Sequence, residues 1–168
     1  MQNYPTADIA YERFASKVHR LFPSVGSPVP QHNMKHRLIR TEYFDFYLIF
    51  KRDFYKTFQN EFYEFTNKYP EFKGVGESIN KEVLDKLCLR DPERTILVFI
   101  YEDAKAYVVY PNLFKNFAEK NNLIRKQDAL NTYKSNGTVN IIQEITYSIP
   151  VHESFLINFD RWIENLKN

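Results

Sequence analysis

The run TILVFIYEDAKAYVVY, residues 95–110, limits the fold more than any other stretch of the chain. Two apolar segments flank the polar spacer EDAK, the pattern of a β-hairpin. Both segments are apolar at consecutive positions, so their strands have to be covered on two faces. A chain with such a hairpin needs further secondary structure above and below it.

The remaining sequence offers that cover. Ile9, Phe14, Val18, Leu21 and Phe22 recur at helical spacing over residues 8–22, behind Thr6 or Asp8 as N-cap. PSVGSPVPQ follows with three prolines, which exclude a helix and allow at most an edge strand. Arg37 to Lys51, RLIRTEYFDFYLIFK, is rich in β-branched and aromatic residues and predicts a strand. Phe54, Phe58, Phe62, Phe65 and Tyr69 then step by three or four, which favours a helix ended by Pro70. SINKEVLDKL, from Ser78, predicts another helix, stopped by Asp91-Pro92. Pro111 opens a third, PNLFKNFAEKN, in the first-turn position that proline tolerates best. SNG at 135–137 marks a turn, TVNIIQEITYSIPV a strand, and the tail HESFLINFDRWIENLK a helix or a short strand and helix.

With 168 residues and no linker, these elements fit one α/β domain over 1–168: a central mixed β-sheet flanked by helices. The hairpin is expected beside the 38–50 strand, with the 8–22 and 78–88 helices packed on the sheet. The core is expected to be aromatic, since the chain carries 15 Phe, 12 Tyr and one Trp. Cys88 is the single cysteine, which excludes an internal disulfide and a cysteine-based zinc site. No segment approaches the ~20 apolar residues of a membrane span, and MQNYPTADIAYERF has no signal-peptide pattern. A cytoplasmic protein without a membrane partner is the expectation. The net charge of +2 permits a nucleic-acid partner without arguing for one.

One short stretch suggests chemistry. In YPEFKGVGES, Glu71 and Lys73 stand one residue apart before a glycine pair, and Asp45 lies upstream inside YFDFYLIF. The order helix, strand, strand with Asp, strand with Glu-x-Lys, helix, strand resembles the core of the PD-(D/E)xK nucleases. That family includes restriction endonucleases and archaeal Holliday-junction resolvases. The resemblance covers about residues 8–110 and implies a restriction-endonuclease-like fold and a metal-dependent nuclease hydrolysing DNA phosphodiester bonds. Asp45, Glu71 and Lys73 would be catalytic; Asp45 and Glu71, with Glu12 from the first helix, would hold Mg²⁺ or Mn²⁺. A homodimer is implied too, since related enzymes often cut two strands. Mg²⁺ takes hard oxygen ligands and keeps several waters, so converging carboxylates leave room for a phosphate oxygen and the attacking water. A lysine beside that water steadies charge developing on phosphate.

Other assignments of the same residues stay open. Glu61 or Glu64 could fill the acidic role if 58–66 is the strand, and Asp45 could be an ordinary buried acceptor. Lys35, Arg37 and Arg40, with His36, cluster ahead of the Asp45 strand and would meet phosphates. Lys115, Lys120, Arg125, Lys126 and Lys134 form a second basic group near Tyr133, better read as solvated surface. His32 and His36 stand four apart in a polar loop, where surface histidines are the simpler reading than a zinc pair. GVGES lacks most of a phosphate-loop motif, and Cys88 suits a small core position. The alternative function is a non-catalytic nucleic-acid-binding or protein-interaction module of an archaeal or viral accessory system.

Overall fold

The computed structural model describes residues 6–22, 26–32, 34–101, 105–132 and 139–167, with side chains for all of these except 129–132 and 139–141. The elements are α1 (Ala7–Leu21), β1 (Val29–Gln31), β2 (His36–Arg40), β3 (Asp45–Lys51), α2 (Phe58–Glu61), α3 (Tyr63–Lys68), β4 (Gly76–Asn80) and α4 (Lys81–Cys88). They continue with β5 (Thr95–Tyr101), β6 (Ala106–Val109), α5 (Pro111–Lys120), β7 (Ile124–Thr132), β8 (Val139–Pro150), β9 (Ile157–Asn158) and α6 (Phe159–Lys167).

Six strands form a mixed sheet in the order β1-β2-β3-β5-β6-β9. All its pairings are antiparallel except β3 with β5, whose seven residue pairs run from Asp45↔Thr95 to Lys51↔Tyr101. A parallel pair needs a long crossover. Residues 52–94 supply it through α2, α3, β4 and α4. β4 leaves this sheet for a second, antiparallel one, ordered β4-β8-β7.

The consecutive apolar run of β5 has a direct cause. Leu97, Phe99 and Tyr101 enter one buried cluster; Ile96, Val98 and Ile100 enter another on the opposite face. The second cluster is closed by α1 and α6, through Phe14, Val18, Phe159 and Trp162 packed on Phe46. The first is closed by α2 to α5 and by β4 and β8, through Phe58, Leu84, Phe114 and Ile149. The hairpin thus lies beside β3 with α1 and α4 on opposite faces, as its sequence requires. Thr6 caps α1, its hydroxyl accepting from Ile9 N–H.

Four local expectations change. The expected strand 37–51 is two strands, because Thr41 turns the chain: its Oγ accepts from the Tyr43 and Phe44 amides and donates to Phe44 O. The 54–69 helix is broken at Phe62, whose φ of −113° and ψ of 44° are not helical. Ser78 belongs to β4, and α4 starts after Asn80, whose side chain accepts from Glu82 N–H at 2.8 Å. β7 is an additional strand. The turns expected at 102–103 and 135–137, along with Tyr133 and Lys134, lie outside the described residues. Among the described residues, no helix is long and apolar enough to cross a membrane.

Candidate anion-binding pocket

The structure does not bring the expected metal ligands together. Asp45 opens β3 on the face it shares with Tyr47 and Ile49, and it is buried at 9% exposure. Its carboxylate is already matched: Arg94 Nε donates to Oδ1 at 3.1 Å and Arg90 approaches Oδ2 at 3.4 Å. Arg94 also donates to the carbonyls of Glu42 and Thr41, which clamps the α4–β5 loop onto the β2–β3 turn. Glu12 is exposed on α1, on the other face of the sheet from Asp45. Glu71 is exposed in a 3₁₀ turn over Pro70–Phe72, and Lys73 is exposed just after it.

That turn corrects the expectation of an extended PEFK segment with Glu71 and Lys73 on one strand face. Phe72 is its anchor, stacked on Phe65 and edged against Phe117 and His152. The partly buried ring holds the turn, and the two charged neighbours face water. Among the described residues, no three His, Cys, Asp or Glu side chains gather as a metal site requires. The donor set does not fit Mg²⁺: its one buried carboxylate is taken up by two guanidinium groups. Glu61 serves Arg125 Nε at 3.4 Å, and Glu64 is exposed.

Two of the three expected phosphate contacts remain free. Lys35 and Arg40 are exposed and form no ion pair among the described residues; Arg40 lies directly across from Asp45 in the β2–β3 pairing. Arg37 is committed elsewhere. It pairs with Asp8 at 2.7 Å, donates to the Met34 and His36 carbonyls, and covers the Tyr11 ring at 5.2 Å. In the second basic group, Lys115 pairs with Asp85 at 3.0 Å and Arg125 with Glu61 and the Tyr55 hydroxyl. Cys88 is partly buried beside the core, and burial raises its thiol pKa.

A pocket of about 200 Å³ opens beside this cationic region, lined by Gln31, His32, Tyr47, Lys86, Arg90 and the apolar floor Val83 and Leu87. β1 and the following turn form one wall, β3 the back and α4 the other wall. Among the described residues, no carboxylate lines it. Lys86 makes only an exposed pairing with Glu82 at 3.4 Å, which contributes little. Arg90 shares Asp45 with Arg94, so two guanidinium charges face one carboxylate and an excess of one positive charge remains. Sequence reasoning missed Lys86 and Arg90, because their proximity to β1 depends on the β3–β5 crossover and not on local spacing.

Behind the pocket the histidines are stacked. The His32 and His36 rings lie 4.9 Å apart at 28°, and His36 Nδ1 is 2.8 Å from the Tyr47 hydroxyl. Burial, followed by the charges of His32, Lys51, Lys35 and Arg37, holds the His36 pKa down to about 4. Burial pushes Tyr47 up to about 12, so its hydroxyl stays protonated and can donate to the neutral imidazole.

This arrangement gives a stability prediction. As pH falls, the unfolded chain takes up the His36 proton at its ordinary 6.5, before the folded protein does, so stability is lost between about 6.5 and about 4. The full shift corresponds to about 3 kcal/mol; the ring is still part-exposed, so screening reduces this to about 1–2 kcal/mol. Urea unfolding at pH 4.5 and 7 is expected to show that loss, and His36→Gln is expected to flatten it. An unchanged pH dependence in the variant would remove His36 as the cause.

No protein-family model, curated protein or solved structure matches the chain.

Proposed function

We propose that the chain is a non-catalytic nucleic-acid-binding domain on a restriction-endonuclease-like core, with the α4–β1 pocket taking a backbone phosphate. The carrying observation is the lining: His32, Lys86 and Arg90 converge with Gln31 and Tyr47, and among the described residues no carboxylate lines the pocket. By contrast, the larger groove between α4 and β8 is lined by Glu82, Asp85 and Glu144 against one cation, Lys81, which is paired with Asp85. Arg and Lys with polar side chains are the usual phosphate donors. Lys35 and Arg40 would continue the cationic track on either side of His36 along β2.

The core assignment is supported by element order: α1, then the antiparallel β1-β2-β3 meander, then α4, then β5 parallel to β3. By that order the second core strand is β2, HRLIR, which has no carboxylate, and the third is β3, where Asp45 is neutralised by arginines. Catalysis is therefore set aside. The competing reading, a Mg²⁺-dependent nuclease using Asp45, Glu71 and Lys73, shares that order of elements but not the acidic positions that go with it.

Fluorescence anisotropy with labelled single- and double-stranded DNA and RNA would test both. Binding is expected to weaken steeply from 50 to 200 mM salt. Lys86→Ala, Lys35→Ala and Arg40→Ala are each expected to lower affinity and to reduce the salt slope by about one. No strand cleavage is expected with Mg²⁺ or Mn²⁺. Absence of binding at low salt would overturn the proposal; metal-dependent cutting that Asp45→Asn abolishes would establish the nuclease instead.

A further inference from the structure

The two sheets have four edges, and three are guarded. β1 is three residues long and contains Pro30; β9 is two residues long. β4 is covered by Tyr55, which exchanges two backbone hydrogen bonds with Gly76, and by Lys51, whose ammonium donates to Ser78 O at 2.9 Å. β7 is different. It is nine residues long, pairs with β8 in unbroken register from Ile124↔Tyr147 to Thr132↔Val139, and no described strand pairs with its outer side. It contains no proline, glycine or bulge, the usual devices that stop an edge from templating another strand.

We propose that this edge joins a second copy of the chain, β7 against β7, antiparallel about a two-fold axis at Gln127, so that two three-stranded sheets become one of six strands. Backbone parity permits that register. Ser148 N–H donates to Leu123 O at 2.9 Å, so the odd-numbered residues of β7 turn their amide groups towards β8. The even-numbered residues Ile124, Lys126, Asp128 and Leu130 turn theirs outward. With Gln127 on the axis, Lys126 falls opposite Asp128 of the second copy, and both are outward-bonding positions. The parity and the pairing agree.

Charge then selects this register. Lys126, Gln127 and Asp128 are exposed, and neither charged group has an ion-pair partner among the described residues. Residues two apart on a strand share a face, so Lys126 and Asp128 meet their counterparts on the same side of the joined sheet. Two opposite-charge pairs form, symmetric about the axis. A lone edge lysine would discourage pairing; the aspartate two positions on converts it into half of a self-complementary set. Arg125 does not interfere, because Glu61 and Tyr55 hold it against α2.

The test is sedimentation equilibrium of the full chain over a wide concentration range. A dimer is expected. Asp128→Lys and Lys126→Asp each place like charges opposite each other and are expected to weaken it roughly tenfold or more. The double swap Lys126→Asp/Asp128→Lys restores opposite charges and is expected to recover the wild-type constant. Gln127→Cys, made with Cys88→Ala, is expected to form an intermolecular disulfide under mild oxidation, because non-hydrogen-bonded pairs bring Cα atoms to ~4.5 Å. Asp128→Cys is expected not to crosslink. A wild-type monomer at every concentration, a dimer indifferent to the single charge changes, or a double swap that fails to recover would each overturn the proposal.

Discussion

Lys51→Met is expected to destabilise the fold by about 3–5 kcal/mol, because it strands a buried carboxylate. Glu77 is only 2% exposed. Its Oε1 faces the Lys51 ammonium at 3.2 Å and accepts the Ser78 N–H at 3.0 Å, while Oε2 accepts the Tyr101 hydroxyl at 2.7 Å. The hydrogen bonds survive the substitution, but the counter-charge does not. The pair is weak evidence of net stabilisation, since a well-packed apolar pair of similar volume often does as well. Lys51→Met/Glu77→Gln, which removes the charge and keeps an acceptor for the Tyr101 hydroxyl, is therefore expected to regain most of the loss. Urea unfolding of wild type, single and double variants measures both effects. A single variant within about 1 kcal/mol of wild type would show that Glu77 does not depend on Lys51.

The same cluster sets an alkaline limit. Burial, followed by the Glu77 charge, raises the Tyr101 pKa well above its ordinary 10.0. Above that pH the unfolded chain gives up the proton while the folded protein keeps it. Stability is therefore present below about pH 10 and lost as pH climbs beyond it.

Gly76→Ala is expected to cost about 1–3 kcal/mol or more, through overpacking and not through backbone strain. A Cβ at Gly76 would stand 2.2 Å from Phe58 Cδ2 and 2.7 Å from Cγ. Neither side can retreat easily. Phe58 is fully buried, and Gly76 is tied to Tyr55 by hydrogen bonds of 2.7 and 3.0 Å and to β8 opposite Pro150. Phe58→Ala in the Gly76→Ala background removes the clashing ring atoms, so the double variant should lose less than the sum of the two single losses. A double-mutant cycle reads that coupling directly. Strict additivity would mean that the two residues do not compete for the same space.

The central sheet was legible because its signal is local. β5 is apolar at each position after Thr95, so two covered faces follow from the string TILVFIY alone. The β7 strand was not, because its central residues Arg125 to Asp128 are polar and it lies at a sheet edge. The Thr41 turn was hidden by the absence of glycine, proline or asparagine; a single threonine hydroxyl does the work of those residues. At the candidate site, Asp45 was expected to hold a metal, but it meets two arginines that come from 45 and 49 residues further on. Spacing within a motif cannot report a partner delivered by a crossover. PEFK misled for a related reason: the phenylalanine, not its charged neighbours, fixes that segment.

The layer formed by α1 and α6 bears on how the chain acquires its structure. Phe14 of α1 packs on Phe159 of α6 at 4.8 Å between ring centroids, and Lys17 reaches Asp160. One face of the main sheet is thus roofed by the two most widely separated segments. Until residues near 160 have been synthesised, the apolar side of β3 and β5 formed by Phe46, Val98 and Ile100 has only part of its cover. Pairings this distant in sequence slow folding and prolong the exposure of partly formed sheet. Slow refolding, limited by the docking of α6 against α1, is the expected consequence of where these two aromatic rings meet.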